Sequence, residues 1–358
     1  MLKNKVSLIG ALLLGGLSVN IAIPAFSANQ VSQKGALKSN ETLLAQAQKP
    51  ITITLVSYAV TKAAYDKLIP KFVAQWKKQT GQDLTIKTSY GGSGSQTRAV
   101  IDGLEADVVQ LALVQDIDKI QKAGLINPGW QLKEPYGAIV THSLVAIATR
   151  PGNPKHIKGW KDLTNSNIKV ITANPKISGG AKWNFLGLWT SVSKTGGNEA
   201  QAINYVTKVY ADVPVLPKDS RESSDFFYKK GQGDVLLNYE NEFILAKQKG
   251  ETSEGYILPS PNISIDAPVA VVDKVVNKHG TKAVSEAFVK YLFSSEAQRI
   301  FAETGFRPVA PSVVKEYINK FPKVSNVYTV DSLGGWEAVQ KKFFAEGAIF
   351  DQVLNKSR

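Results

Sequence analysis

The reading of this chain turns on NPKISGGAKWNFLGLW, residues 174–189. A strand-like run, KVITAN (169–174), leads into the Asn174-Pro175 turn. Ser178, Gly179 and Gly180 follow, and then an apolar, aromatic segment with helical spacing. Two adjacent glycines cost a helix roughly 1 kcal/mol each relative to alanine, so their placement asks for a reason. Ser178 suits the N-cap, whose hydroxyl accepts from a first-turn N–H. The first N–H groups of a helix have no intrahelical partner and sit at the positive end of its dipole. Glycines at that point leave the donors uncovered, so an oxyanion can touch the backbone.

Working outward, the same arrangement recurs twice. SYGGSGSQTRAV (89–100) is a strand, two glycines, Ser93-Gly94-Ser95 and a helix. LPKDSRESSDFF (216–227) is a strand, Ser220-Arg221-Glu222-Ser223 and a helix. Three donor-rich helix starts at three strand ends match the place where open α/β sheets bind ligands.

The remaining pattern is consistent with such sheets. ITITLVSY (51–58), LTIKTSY (84–90), VVQLAL (108–113), SLVAIAT (143–149), DVLLNY (234–239) and APVAVV (267–272) read as strands, with VPVLP (213–217) and GYILPS (255–260) as further candidates. Tyr65, Leu68, Phe72 and Trp76 share a helical face that Gly81 ends, a helical segment runs to Gly124, and 280–305 is helical up to Gly305. Trp336 to Leu354 reads as an amphipathic helix or pair. This alternation predicts an α/β fold of mostly parallel sheets with helices on both faces. About 310 residues follow the leader, enough for two lobes. The expected break is near Arg150-Pro151-Gly152 and the return near Asp266-Ala267-Pro268. Residues 51–150 and 267–325 then form lobe 1 and 151–266 an inserted lobe 2, with 326–358 a C-terminal helical segment.

The N-terminus carries Lys3 and Lys5, the apolar run VSLIGALLLGGLSV and a small-residue site at PAFSA. It reads as a signal peptide over 1–27, cut after Ser27, with a polar, disordered leader over 28–50. The chain has no cysteine, so neither disulfides nor a lipidated cysteine are available. Export and the absence of cysteine point to a periplasmic protein held by its core. The formal net charge of +13 suits an anionic partner. The basic residues form no run, so a small anion or a negatively charged membrane surface fits better than nucleic acid.

Catalytic readings find little support. A nucleotide-phosphate loop needs a lysine after its glycines, and GGSGSQT places Gln96-Thr97 there. A serine hydrolase with Ser178 or Ser93 as nucleophile needs a histidine base. His142, His156 and His279 are scattered and lie in no recognisable motif. The same histidines and the lack of cysteine argue against a zinc site. Glu240 and Glu242 in NYENE fit a helix start, and Trp183, Phe185 and Trp189 fit a core rather than a stacking platform. No cofactor or metal is expected.

At the three helix starts the chain closely resembles the periplasmic sulfate-binding proteins of ABC importers, which have the type II binding-protein fold. NPKISGGAKW is similar to their signature of Asn-Pro-Lys, two small residues and Gly-Gly-Ala-Arg. YGGSGSQTRAVIDGLEADVVQLAL (90–113), GQGDVLLNYENE (231–242), AVVDKVVNKHGTKAVSEAFVKYLFSSEAQ (270–298) and GGWEAVQKKFFAEGAIFDQV (334–353) resemble other blocks, so the likeness spans nearly everything from Ile51. The resemblance implies a monomeric receptor, not an enzyme, that closes two lobes on sulfate or thiosulfate and docks on a membrane permease. Molybdate and phosphate are the alternative anions. The implied donors are the backbone of Ser93, the Ser178 hydroxyl, the N–H groups of Gly179 and Gly180, Ser220 at a backbone-donor position usually held by alanine, and Tyr239 where the family has tryptophan. The chain departs from the family pattern with Ala59 for an aspartate, Lys182 for the signature arginine, and DSRESS, including Glu222, for a glycine-rich loop.

Overall fold

The computed structural model describes residues 49–165 and 167–357. The expected signal peptide and all but the last two residues of the expected leader lie outside the described residues.

The β-branched run ITITLVSY forms β1 (Ile51–Tyr58). It is flanked in parallel by β2 (Leu84–Gly91) and β3 (Val108–Gln110). The connection from β1 to β2 contains α1 (Lys62–Thr80), which buries Tyr65, Leu68 and Phe72. Gly81 ends this helix at φ 73°, a left-handed cap that glycine adopts without strain. Helix α2 (Ser93–Ile101) follows β2, and α3 (Val114–Lys122) follows β3.

The long strand β4 (Ile139–Thr149) pairs antiparallel with β6 (Val235–Tyr239), which pairs in parallel with β5 (Val170–Ile171). Strand β7 (Asn262–Val271) runs antiparallel to both β4 and β3. The sheet order is β2-β1-β3-β7-β4-β6-β5, with β8 (Arg307–Pro308) on β4 and β9 (Val327–Tyr328) on β7. The α/β architecture is as expected. The sheet is mixed rather than mostly parallel, because β4 and β7 run against their neighbours. Along β7 the pairing passes from β4, through Pro268 opposite Ile139, to β3, beginning with Val269 opposite Gln110. These two strands therefore join the β1–β3 half of the sheet to the β5–β6 half.

Two expected strands are missing for a local reason. Residues 213–217 carry Pro214 and Pro217, which cannot donate to a ladder, and remain irregular. Residues 255–260 make one bridge, Ile257 to Ile147, before Pro259.

Helix α4 (Gly179–Ser193) is buried without interruption from Gly179 to Thr190. Its Phe185 contacts Phe343, Phe344 and Phe350 edge-on, so the aromatic set is core. The C-terminal segment is a pair of helices, Gly335–Val339 and Ile349–Ser357, joined through a π turn. Ile349–Ser357 packs on α5 (Glu199–Ala211). A 2.6 Å ion pair between Lys176 and Asp351 ties it to the 174–178 turn.

Candidate functional site

The turn before α4 is built by Asn174. Its side chain accepts from the Lys176 N–H at 2.9 Å and its carbonyl from the Ser178 N–H at 2.8 Å. Ser178 is the N-cap, its Oγ accepting from the Ala181 N–H at 3.3 Å. That leaves the hydroxyl proton and the N–H groups of Gly179 and Gly180 free at the helix start.

The glycines serve a second purpose that the sequence alone does not show. A Cβ on Gly179 would lie 2.6 Å from the Ala112 Cβ and 3.1 Å from that of Ser93. One on Gly180 would lie 2.2 Å from the Ser220 Oγ and 2.5 Å from the Tyr239 ring. The other two helix starts and the end of β6 thus close directly onto α4. Gly92 is just as confined, with a Cβ placed 2.7 Å from the Ile177 carbonyl oxygen and 3.0 Å from that of Lys218. The Gly94 N–H donates to the same Ile177 oxygen at 3.1 Å.

Helix α6 (Ser220–Tyr228) begins at Ser220 and is capped by Asp219, which accepts from the Glu222 N–H at 2.9 Å. Glu222 also accepts from the N–H of Lys218, the residue before the cap, at 2.7 Å. Tyr239 ends β6 and precedes α7 (Glu240–Gln248). It is 1% exposed, and its hydroxyl has no hydrogen-bond partner among the described residues. Burial raises its pKa well above the ordinary tyrosine value, so it remains a protonated donor.

All six expected residues, Ser93, Ser178, Gly179, Gly180, Ser220 and Tyr239, line one small cavity of about 10 Å³. The N–H groups of Ser93, Gly179, Gly180 and Ser220 lie in first helical turns, and none is bonded elsewhere among the described residues. Among the described residues no lysine or arginine lines the cavity, and the one carboxylate there, Asp219, is engaged as a cap through one oxygen. A group that enters here meets neutral donors and positive helix ends, which is chemistry for a small anion. Among the three expected departures, Ala59 lines the cavity, whereas Lys182 and Glu222 do not. Lys182 points to the C-terminal segment, donating to Gln340 at 3.1 Å.

A family model for bacterial extracellular solute-binding proteins matches residues 53–307. This chain belongs to that family. It is 59% identical over 310 residues to a "Sulfate-binding protein" of a Synechocystis species, covering 86% of this chain and 88% of the relative. A "Thiosulfate-binding protein" of Pseudomonas aeruginosa is 38% identical, covering 84% and 91%. The solved structure of the sulfate-binding protein SubI from Mycobacterium tuberculosis superposes with a TM-score of 0.76 at 35% identity, covering 82% of this chain and 99% of SubI.

Sequence reasoning missed the groups that hold the three helix starts in place. The buried Asp116 accepts from the Ser93 hydroxyl at 2.6 Å, while that hydroxyl accepts from the Ala112 N–H at 2.9 Å. The Trp183 indole donates to the Ala112 carbonyl at 2.9 Å, linking α4 to the end of β3. Asn238 clamps the Ser220 carbonyl at 2.7 Å. An aspartate within a polar helix or an asparagine in a strand gives no advance signal of a partner dozens of residues away. The histidines lie elsewhere. His142 pairs with Asp266 at 2.7 Å and His279 with Glu105 at 2.9 Å.

Proposed function

We propose that this protein is an extracytoplasmic receptor that captures sulfate, with thiosulfate as a related ligand, and delivers it to an ABC permease. The observation that carries this reading is a cavity of four free first-turn N–H groups and side-chain hydroxyls, lined by no lysine or arginine among the described residues. Sulfate at neutral pH is a dianion whose oxygens only accept, and every group offered to it can donate. Ser93, Ser178, Gly179, Gly180, Ser220 and Tyr239 are the proposed ligand set. Residues 51–150 with 267–325 are the proposed first lobe and 151–266 the second. They close on the anion around β4 and β7, and the closed monomer docks on the permease from the periplasm.

A hydrolytic reading has less support. The Ser93 hydroxyl is spent on Asp116, and no histidine lines the cavity next to Ser178. The test is calorimetry of the purified protein from Lys49 onward with sulfate, thiosulfate, molybdate and phosphate. Stoichiometric sulfate binding without turnover, far stronger than phosphate binding, is expected. Phosphate carries a proton at neutral pH, and the cavity offers that proton no carboxylate acceptor beyond the Asp219 cap. Phosphate binding comparable to sulfate at pH 7 would overturn the assignment.

A further inference from the structure

The three serines at the cavity use their hydroxyls differently. That of Ser93 is saturated, donating to Asp116 and accepting from Ala112. That of Ser178 accepts from Ala181 and keeps its proton. The Ser220 hydroxyl makes no hydrogen bond to any described residue, although Ser220 is 4% exposed and its carbonyl is held by Asn238. It is also not a cap, since Asp219 serves α6. Its position is well defined, because the Oγ stands 2.2 Å from the point a Gly180 Cβ would occupy, beside the Tyr239 ring edge. Ser220 lines the cavity together with Ser178, Gly180 and Tyr239, so its hydroxyl lacks a protein partner at a place open to a ligand. Such a group in a cavity of free donors marks a ligand contact.

We propose that the Ser220 hydroxyl is itself a direct donor to the bound anion, in addition to the Ser220 backbone N–H. This rests on the anion-receptor reading above and deepens it. Ser220 then contributes two donors from one residue. Within the cavity the Ser220 Oγ lies at the corner where Gly180 and the Tyr239 ring meet. A residue without a hydroxyl at 220 keeps the backbone contact and the helix but empties that corner. The hydroxyl is thus a determinant of affinity that leaves the fold untouched.

The test compares Ser220→Ala, Ser220→Cys and Ser178→Ala, with sulfate titrated by calorimetry and thermal unfolding measured without ligand. Ser220→Ala is expected to weaken sulfate binding about 10-fold or more, the scale of one hydrogen bond to a charged group. Ser220→Cys, of the same shape with a weak donor, should also fall. The unliganded melting temperature of both should match the parent. Unchanged sulfate affinity in Ser220→Ala alongside a clear loss in Ser178→Ala overturns this inference and leaves the receptor reading intact. Unchanged affinity in both overturns the site itself. A loss in Ser220→Ala that tracks a drop in unliganded stability assigns the residue to the scaffold and also overturns the inference.

Discussion

Two buried polar regions sit side by side where β6 meets α7, and they obey opposite rules. In the cavity at the three helix starts, the N–H groups of Ser93, Gly179, Gly180 and Ser220 and the Tyr239 hydroxyl are neutral and without partners among the described residues. Just beyond Tyr239, the carboxyl groups of Glu240 and Glu242 are fully buried, each against an arginine. Arg307 grips Glu240 with contacts of 2.6 and 3.0 Å, joined by the Tyr256 hydroxyl at 3.0 Å. Arg221 meets Glu242 at 2.7 Å, joined by Ser224 at 2.9 Å. Burial raises the Glu242 pKa, and Arg221 opposes that shift. The difference separates site from scaffold. A buried charge must be paired within the protein or the fold suffers, whereas a neutral donor can be left open at moderate cost until a ligand completes it.

The most severe way to break the open region is to fill it. Gly180→Asp is expected to abolish sulfate binding, with no saturation at millimolar ligand by calorimetry. Its Cβ alone falls within contact of Ser220 and Tyr239, and its carboxylate would lie against the free N–H groups as an internal anion. Acid at a helix start is favoured, so circular dichroism should still report a folded protein. A folded Gly180→Asp protein that binds sulfate as the parent does would remove α4 from the site.

The paired region should fail through stability instead. Glu242→Ala leaves Arg221 without its buried partner and should lower unfolding free energy by about 3 kcal/mol. Replacing both partners, Arg221→Met with Glu242→Met, should recover most of that loss, because the pair mainly offsets its own desolvation. Urea unfolding of the two variants decides it. If the double variant is no more stable than Glu242→Ala, the pair contributes specific stabilisation and the contrast drawn above is too sharp.

These two regions were not equally legible in the sequence. The open one was, because Ser-Gly-Gly after a strand states its geometry locally: cap, bare helix start, dipole. The contact of Ser93, Ser220 and Tyr239 with those glycines is tertiary, and only the resemblance to a known family anticipated it. Glu240 and Glu242 were read as ordinary first-turn acids, which they are, but Arg307 and Arg221 come from distant positions. The β-ladder was read well where runs are β-branched, as in Ile51–Tyr58. It failed at 213–217, where prolines outweigh the apolar pattern. It also failed in direction, since nothing local in SLVAIAT or APVAVV says which way the neighbouring strand runs.

Within the cavity, Tyr239 tests whether an orphaned hydroxyl is a ligand contact. Tyr239→Phe should cost roughly 1.5–3 kcal/mol of sulfate binding. Tyr239→Trp should restore part of it, because the indole offers an N–H at similar reach. Isothermal titration of both variants is the measurement, with unliganded melting as a control. If phenylalanine binds as tightly as tyrosine, the ring only packs against Tyr58, 5.9 Å away between centroids, and the cavity has one donor fewer.

The smallest expected effect concerns positive charge near a cavity that no described lysine or arginine lines. Between pH 5 and 7 neither sulfate nor its neutral donors titrate, so affinity should be flat. Lys182, in the first turn of α4, has its pKa lowered to about 8, chiefly by burial, with Asp116 opposing the shift. A bound dianion favours the protonated lysine, so binding raises its pKa and takes up part of a proton near pH 8. The sign follows. The contribution of Lys182 is fully present below its unliganded pKa and falls away as pH rises through it. The decline should be about 2- to 5-fold between pH 7 and 9.5, since the ammonium acts through space rather than by contact. Lys182→Met should flatten that limb and should bind sulfate slightly more weakly at pH 7. Tyr239 cannot produce the same decline, because its pKa is shifted upward. Calorimetry across the range in two buffers of different ionisation enthalpy would read both the affinity and the proton uptake. A decline that persists in Lys182→Met would place the titrating group elsewhere.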